Sequence, residues 1–161
     1  MESKFDVFLK FVNKILNVIG GTALTAMMLL TVSDVIMRSV GHPILGAYEL
    51  VALLLAVVIG FTIPKVSMDK GHVIMEFLLE KLSPTGKAVM ITFTRLLCIG
   101  LFAIIGYNLF LIAKEFNLSG EVSSTLKIPF FPVAYSIGVV CFIECLVFVS
   151  DIVMVWRGQH E

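Results

Sequence analysis

Six charged side chains stand in or beside apolar runs of this chain, and their spacing limits the chemistry open to them. In 33-SDVIMRSVGHPILGAYEL-50, Asp34 and Arg38 lie four residues apart where one apolar run ends, and Glu49 opens the next run after a turn containing Pro43. Residues at i and i+4 share one face of a helix. Arg38 is therefore placed to pair with Asp34, with Glu49 or with both, which would clamp two consecutive helices into a hairpin. Two other roles fit the same residues: separate charges that reach water at a membrane surface, or a proton or substrate site. The second group is Arg95, Glu144 and Asp151. At 1.5 Å per helical residue, Arg95 lies about 10 Å and Glu144 about 16 Å inside its run, with Asp151 shallower. A carboxylate facing lipid at that depth costs several kcal/mol. Glu144 is therefore expected to face protein, either Arg95 or a partner subunit, and a transport carboxylate is the other role open to it.

Other chemistries lack their residues. The sequence contains no Gly-x-x-x-x-Gly-Lys loop and no glycine-rich nucleotide loop. His42, His72 and His160 are scattered over loops and a tail, so neither a metal centre nor heme ligation within the apolar runs is expected. Cys98, Cys141 and Cys145 are odd in number, form no Cys-x-x-Cys, and fall inside apolar runs, where small packing residues belong. An enzyme reading finds no support, and no cofactor is implied. The net charge of zero offers no basic surface for nucleic acid.

The elements that position the charges follow from composition. The chain has 161 residues, 58% hydrophobic and 15% charged. Soluble domains carry about 25% charged and 45–50% apolar residues. About 20 apolar residues cross a bilayer as a helix, and four segments are that long: about 15–40, 45–66, 88–113 and 131–155. Backbone groups in hydrocarbon must be paired internally, and no ten-residue alternation suggests a barrel. The expected fold is an all-α integral membrane protein, a single membrane domain over 1–161. The first span is expected to be retained, because Glu2 and Asp6 interrupt the basic start and the run is longer than a signal-peptide core.

Lys4, Lys10, Lys14, Lys65, Lys70, Lys81, Lys87 and Arg157 fall on one side of such a bundle, and only Arg38, Lys114 and Lys127 on the other. The positive-inside rule then puts both termini and the middle loop in the cytoplasm. Within that loop, 73-VIMEFLLEKLSP-84 carries Glu76, Glu80 and Ser83 as one polar stripe opposite Val73, Ile74, Phe77, Leu78 and Leu82. This predicts a short amphipathic helix over about 73–82, too short to span and suited to the membrane interface. Pro43, Pro64, Pro84, Pro129 and Pro132 lie at segment ends. The spans show no internal repeat and no pair of helices broken at mid-depth, which carriers use for their sites. Four spans with no evident pathway favour an accessory subunit over a self-sufficient carrier.

The stretch VIMRSVGHPILGAYELVALLLAVVIGFTIPKVSMDKGHVIMEFLLEKL resembles the small membrane (Q) subunit of tripartite ATP-independent periplasmic (TRAP) transporters. The residues that carry the resemblance are Arg38, Pro43, Glu49, Gly60, Gly71, His72 and the amphipathic segment 73–82. The later SSTLKIPFFPVAYSIG is similar to the family's Ser-x-x-Leu-x-Ile-Pro approach to the fourth helix, through Ser123 or Ser124, Leu126, Ile128, Pro129 and Tyr135. The family often has a tryptophan near Glu49, where this chain has Ala47 and Tyr48. The resemblance implies a stable heterodimer with a large membrane subunit that carries the substrate and sodium sites. It also implies a transient periplasmic substrate-binding protein, membrane lipids as surroundings, and a bacterial or archaeal inner membrane. Transport would import an organic anion, a dicarboxylate, sialic acid or a sulfonate, driven by an ion gradient, with no substrate site in this chain. The alternatives are a small ion-coupled carrier using Glu144, or the small subunit of a tripartite tricarboxylate transporter.

Overall fold

The structure, a computed structural model, describes residues 4–68 and 84–156. Among them are four helices, α1 (Lys4–Ser39), α2 (Ala47–Met68), α3 (Pro84–Ser119) and α4 (Phe131–Trp156), and no strand. Within these helices, Val7–Ser39, Ala47–Met68, Val89–Ser119 and Phe131–Val153 are each long and apolar enough to cross a membrane. The amphipathic segment 73–82, with Gly71 and His72 before it, lies outside the described residues.

α1 and α3 are longer than the apolar runs alone suggest. The first apolar run is expected from about 15, yet α1 begins at Lys4. The cause is a packing seam that continues below the apolar run: Leu9, Asn13, Leu16, Gly20 and Ala23 are all buried, at alternating spacings of four and three. Half-buried Met27 and Leu30 and buried Asp34 extend that rhythm to the other end. Such a repeat keeps one stripe of a helix against its neighbour. Lys10 and Lys14 stay exposed on the flank of the seam. Similarly, α3 runs on past the apolar stretch ending near 113 and carries Lys114 and Glu115 on its last turns.

α1 packs on α2, α2 on α4 and α4 on α3, so α2 and α4 hold the centre and α1 and α3 the two edges. Along α2 and α4 the contacts advance in the same direction, from Gly60 against Ile137 to Ser67 against Glu144, so these two helices run parallel. The α3–α4 pair is antiparallel and aromatic. Phe102 meets Phe148 at 5.8 Å between ring centroids, and Phe110 meets Tyr135 at 5.6 Å and Phe142 at 5.8 Å. Gly106 and Gly138 let these backbones close up, since a Cβ on Gly106 would sit 3.2 Å from Cys141 and one on Gly138 3.1 Å from Phe110. Small residues at helix contacts are how membrane helices gain van der Waals packing without a hydrophobic driving force.

The α1–α2 turn is closed by a C-terminal cap. Gly41, at φ 83°, donates from its N–H to the Arg38 carbonyl at 3.1 Å, and His42 donates to the Met37 carbonyl at 2.9 Å. This double bond pattern satisfies carbonyls that a helix end leaves open. Gly46, at φ 77°, precedes α2, and its carbonyl accepts from Leu50 at 3.1 Å.

Candidate functional site

The charged residues fall at two levels of the bundle. At the α1–α2 turn, Arg38 Nη2 donates to Asp34 Oδ2 at 2.7 Å, and the Ile44 N–H donates to Asp34 Oδ1 at 3.0 Å. One carboxylate thus ties the last turn of α1 to the chain just after Pro43. The Asp34 side chain is 12% exposed and that of Arg38 69% exposed, so the guanidinium meets the surroundings while the acid is enclosed. An exposed pair of this kind contributes little by itself. The hydrogen bond from the Ile44 N–H is what fixes the turn.

Glu49 sits in the first turn of α2 and turns toward a different partner. Its two oxygens accept the backbone N–H groups of Thr125 at 2.8 Å and Leu126 at 3.1 Å. These belong to the loop that joins α3 to α4. The loop is a small built unit. Val122 bridges Pro129, the Ser123 N–H donates to the Ile128 carbonyl at 2.9 Å, and Ser123 Oγ accepts the Ile128 N–H at 3.3 Å. Lys127 completes the bend at φ 55° and donates its N–H to the Ser123 carbonyl at 3.2 Å. Of the two adjacent serines, Ser123 is buried and Ser124 exposed, so Ser123 organises the loop. Leu126 lies over Gly46, where a Cβ would come within 2.5 Å of the Leu126 side chain. The motif residues Leu126, Ile128 and Pro129 and the α2 start at Gly46 and Glu49 therefore form one contact between parts of the chain far apart in sequence.

At the other level, Arg95 Nη2 lies 3.0 Å from Asp151 Oδ2, joining α3 to α4, with the guanidinium 5.1 Å from the centroid of the Phe148 ring. Glu144 is fully buried and accepts a hydrogen bond from the Ser67 hydroxyl, joining α4 to α2. Asn13 is also buried, and its amide donates to the Pro64 carbonyl at 3.4 Å and to the Met68 sulfur, joining α1 to α2. Trp156 Nε1 donates to Thr92 Oγ1 at 3.1 Å and closes the far end of the α3–α4 pair. Each of these bonds links two different helices.

Arg38 thus takes Asp34 and leaves Glu49 to the loop amides, while Arg95 takes Asp151 and leaves Glu144 to a serine. Ser67 and Asn13 were not singled out by sequence reasoning, and Ser123 was named only as one of two adjacent serines. For Asn13 a signal existed: it falls in the alternating Leu9, Leu16, Gly20, Ala23 rhythm, where a polar residue must find a partner. Among the described residues, no group of three or more His, Cys, Asp or Glu side chains could hold a metal ion. A groove of about 440 Å³ runs between α2 and α3, lined mainly by Ile59, Ile63, Val66, Phe102 and Phe148, with Thr62, Ser67 and Cys98 among them. Its apolar lining offers a solute few polar contacts. What the arrangement does is hold helices in register.

No curated protein matches the chain. The family model described as "Tripartite ATP-independent periplasmic transporters, DctQ component" matches residues 27–158. That match includes the Asp34–Arg38 turn, Glu49, the loop between α3 and α4 and the Arg95–Asp151 and Ser67–Glu144 contacts. The family is one of transporter subunits, which makes this chain a multi-pass inner-membrane protein and the small membrane component of a tripartite assembly. The chain belongs to the DctQ family of TRAP transporter components.

Proposed function

We propose that the chain braces the large membrane subunit of a TRAP transporter and forms with it a stable heterodimer. A periplasmic binding protein delivers an organic anion, of the dicarboxylate, sialic acid or sulfonate class, to that heterodimer. The large subunit carries the substrate and the sodium ions that drive uptake. Both termini and the 69–83 connection face the cytoplasm, and the amphipathic segment 73–82 lies along the inner membrane surface. The loop 120–130 then faces the periplasm and contributes to the docking surface for the binding protein.

The observation that carries this reading is where the polar groups go. Asp34, Glu49, Glu144 and Arg95 each contact another group of this chain, and each contact ties one element to another. Charged groups at membrane depth mark ion or substrate pathways when they line water-filled cavities. Here they are enclosed in protein contacts, and the exposed surfaces of α1 and α3 are apolar over most of their length. That is a scaffold's arrangement.

Co-expression with a TRAP large subunit tests it. The small and large chains are expected to co-purify at equal stoichiometry, and proteoliposomes are expected to accumulate the anion only when both chains and the binding protein are present. Ion-driven uptake by this chain alone would overturn the reading.

A further inference from the structure

We propose that the face of α3 turned away from α4 seats a transmembrane helix of the large subunit, and that this helix donates a hydrogen bond to the side-chain carbonyl of Asn108. The inference rests on the accessory reading above and goes beyond it by naming the face and its central contact.

The side of α3 that meets α4 is defined by Arg95, Ile99, Phe102, Gly106 and Phe110. Asn108 stands two residues from both Gly106 and Phe110. Two residues turn a helix by about 200°, so Asn108 points to the opposite side. The structure places it there, exposed, inside the span Val89–Ser119. By the helical rise it lies about 20 Å from the level of Arg95 and about 9 Å from that of Lys114. A hydrocarbon core about 30 Å thick covers that depth.

An exposed amide there is expensive unless something bonds it. Asn108 Nδ2 donates to the Ile104 carbonyl of its own helix at 2.9 Å, which serves one N–H. The side-chain carbonyl cannot be served in the same way, because a helix presents carbonyls and no free N–H groups in its interior. It needs a donor from outside α3. One turn and two turns before it on the same face are Ile104 and Gly100, and a Cβ on Gly100 would meet nothing within 4 Å. Leu97, Leu101 and Leu111 flank them, exposed. A glycine notch beside an asparagine is the combination that lets two membrane helices approach closely and hydrogen-bond across the contact.

The other edge of the molecule differs in one decisive way. The outward side of α1 carries Gly21, Thr22, Thr25 and Ala26, and it too has small residues. But Thr22 Oγ1 donates to the Ile19 carbonyl at 2.8 Å, and Thr25 Oγ1 to the Gly21 carbonyl at 3.0 Å. Those hydroxyls are served by their own helix and can face lipid tails. Of these two faces, that of α3 presents the amide whose carbonyl its own helix cannot serve. A tripartite assembly supplies that helix in its larger membrane component.

The test uses the complex of small and large subunits in native-lipid nanodiscs. Asn108→Leu is expected to weaken the complex about three- to twenty-fold, the range of an interhelical hydrogen bond in a bilayer, read as the dissociation constant after dilution. Asn108→Gln, which keeps the acceptor, is expected to restore most of the affinity. A photo-crosslinking residue at Ile104 is expected to mark the large subunit, and one at Thr25 to mark lipid. Adducts from position 104 to lipid or to a second copy of this chain would overturn the proposal. So would a complex indifferent to Asn108→Leu, and either result leaves the accessory reading intact. If the wild-type chain held no large subunit at all, both would fall together.

Discussion

At the residue scale, the three carboxylates that look alike in sequence do different work because their partners differ in kind. Asp34 joins a guanidinium to a backbone N–H, Glu49 collects two backbone N–H groups, and Glu144 accepts from a buried hydroxyl. Hydrogen bonds to a charged acceptor are worth about 1.5–3 kcal/mol each. Glu49→Gln keeps the size of the side chain but offers one oxygen where two amides need acceptors. Loosening of the α3–α4 loop by about 2 kcal/mol is expected, visible as faster proteolysis near Lys127 while the helices stay intact. Arg95→Ala tests the other level. It leaves Asp151 without its guanidinium next to Glu144, a loss of about 3 kcal/mol if the site behaves as other buried pairs do. Arg95→Leu combined with Asp151→Leu removes both charges and should recover much of that loss in a thermal-unfolding assay. A double variant less stable than either single one would contradict the pairing. The α1–α2 turn separates its two contacts in the same way: Arg38→Ala removes an exposed pair and should cost less than about 1 kcal/mol, whereas Asp34→Ala also leaves the Ile44 N–H without its acceptor and should cost more in the same assay.

At the scale of elements, the turn before α2 and the loop before α4 form one contact, and Gly46 stands at its centre. Gly46→Ala meets two obstacles: φ 77° is unfavourable for an L side chain, and the new methyl would lie 2.5 Å from Leu126. Gly41, at φ 83°, has open space around it, so Gly41→Ala carries the backbone cost alone. The expected order is therefore Gly46→Ala well below Gly41→Ala in thermal stability, with the backbone part about 1–2 kcal/mol in each. Equal losses would show that Leu126 does not rest there. The existence of the helices was legible from the chain because about 20 mostly apolar residues permit little else in lipid. The ends of α1 and α3 were not. Leu9 and Asn13 carry α1 past the apolar run, through a seam that only the partner helix reveals. Glu49 was legible as a charge that needs a partner, but its partner was not. Two backbone N–H groups 76 and 77 residues away carry no side-chain signature. Ser67 hid for a related reason: one hydroxyl at the end of an apolar run has several ways to be satisfied, and only the α2–α4 register singles out Glu144.

At the scale of the whole molecule, the described helices follow the order α1, α2, α4, α3, which leaves α1 and α3 as the two edges. The orientation of these helices decides which groups face the periplasm and which face the cytoplasm. The proposed orientation rests on the basic residues. With both termini inside, Lys4, Lys10, Lys14, Lys65, Lys70, Lys81, Lys87 and Arg157 stay on the cytoplasmic side, and only Arg38, Lys114 and Lys127 are translocated or held at the outer surface. Reversing the molecule would translocate the larger set, against the bias that fixes membrane topology. A reporter that fluoresces only in the cytoplasm, fused after Glu161, is expected to be bright. A phosphatase active only in the periplasm, fused in the outer loop at Gly120, is expected to be active. The opposite pattern would place the Glu49-held loop inside the cell, out of reach of any periplasmic protein, and the proposed docking role of that loop would fail with it. The contact that holds the loop to α2 would survive that outcome, because it depends on the chain's own amides and carboxylate and not on which side of the membrane they face.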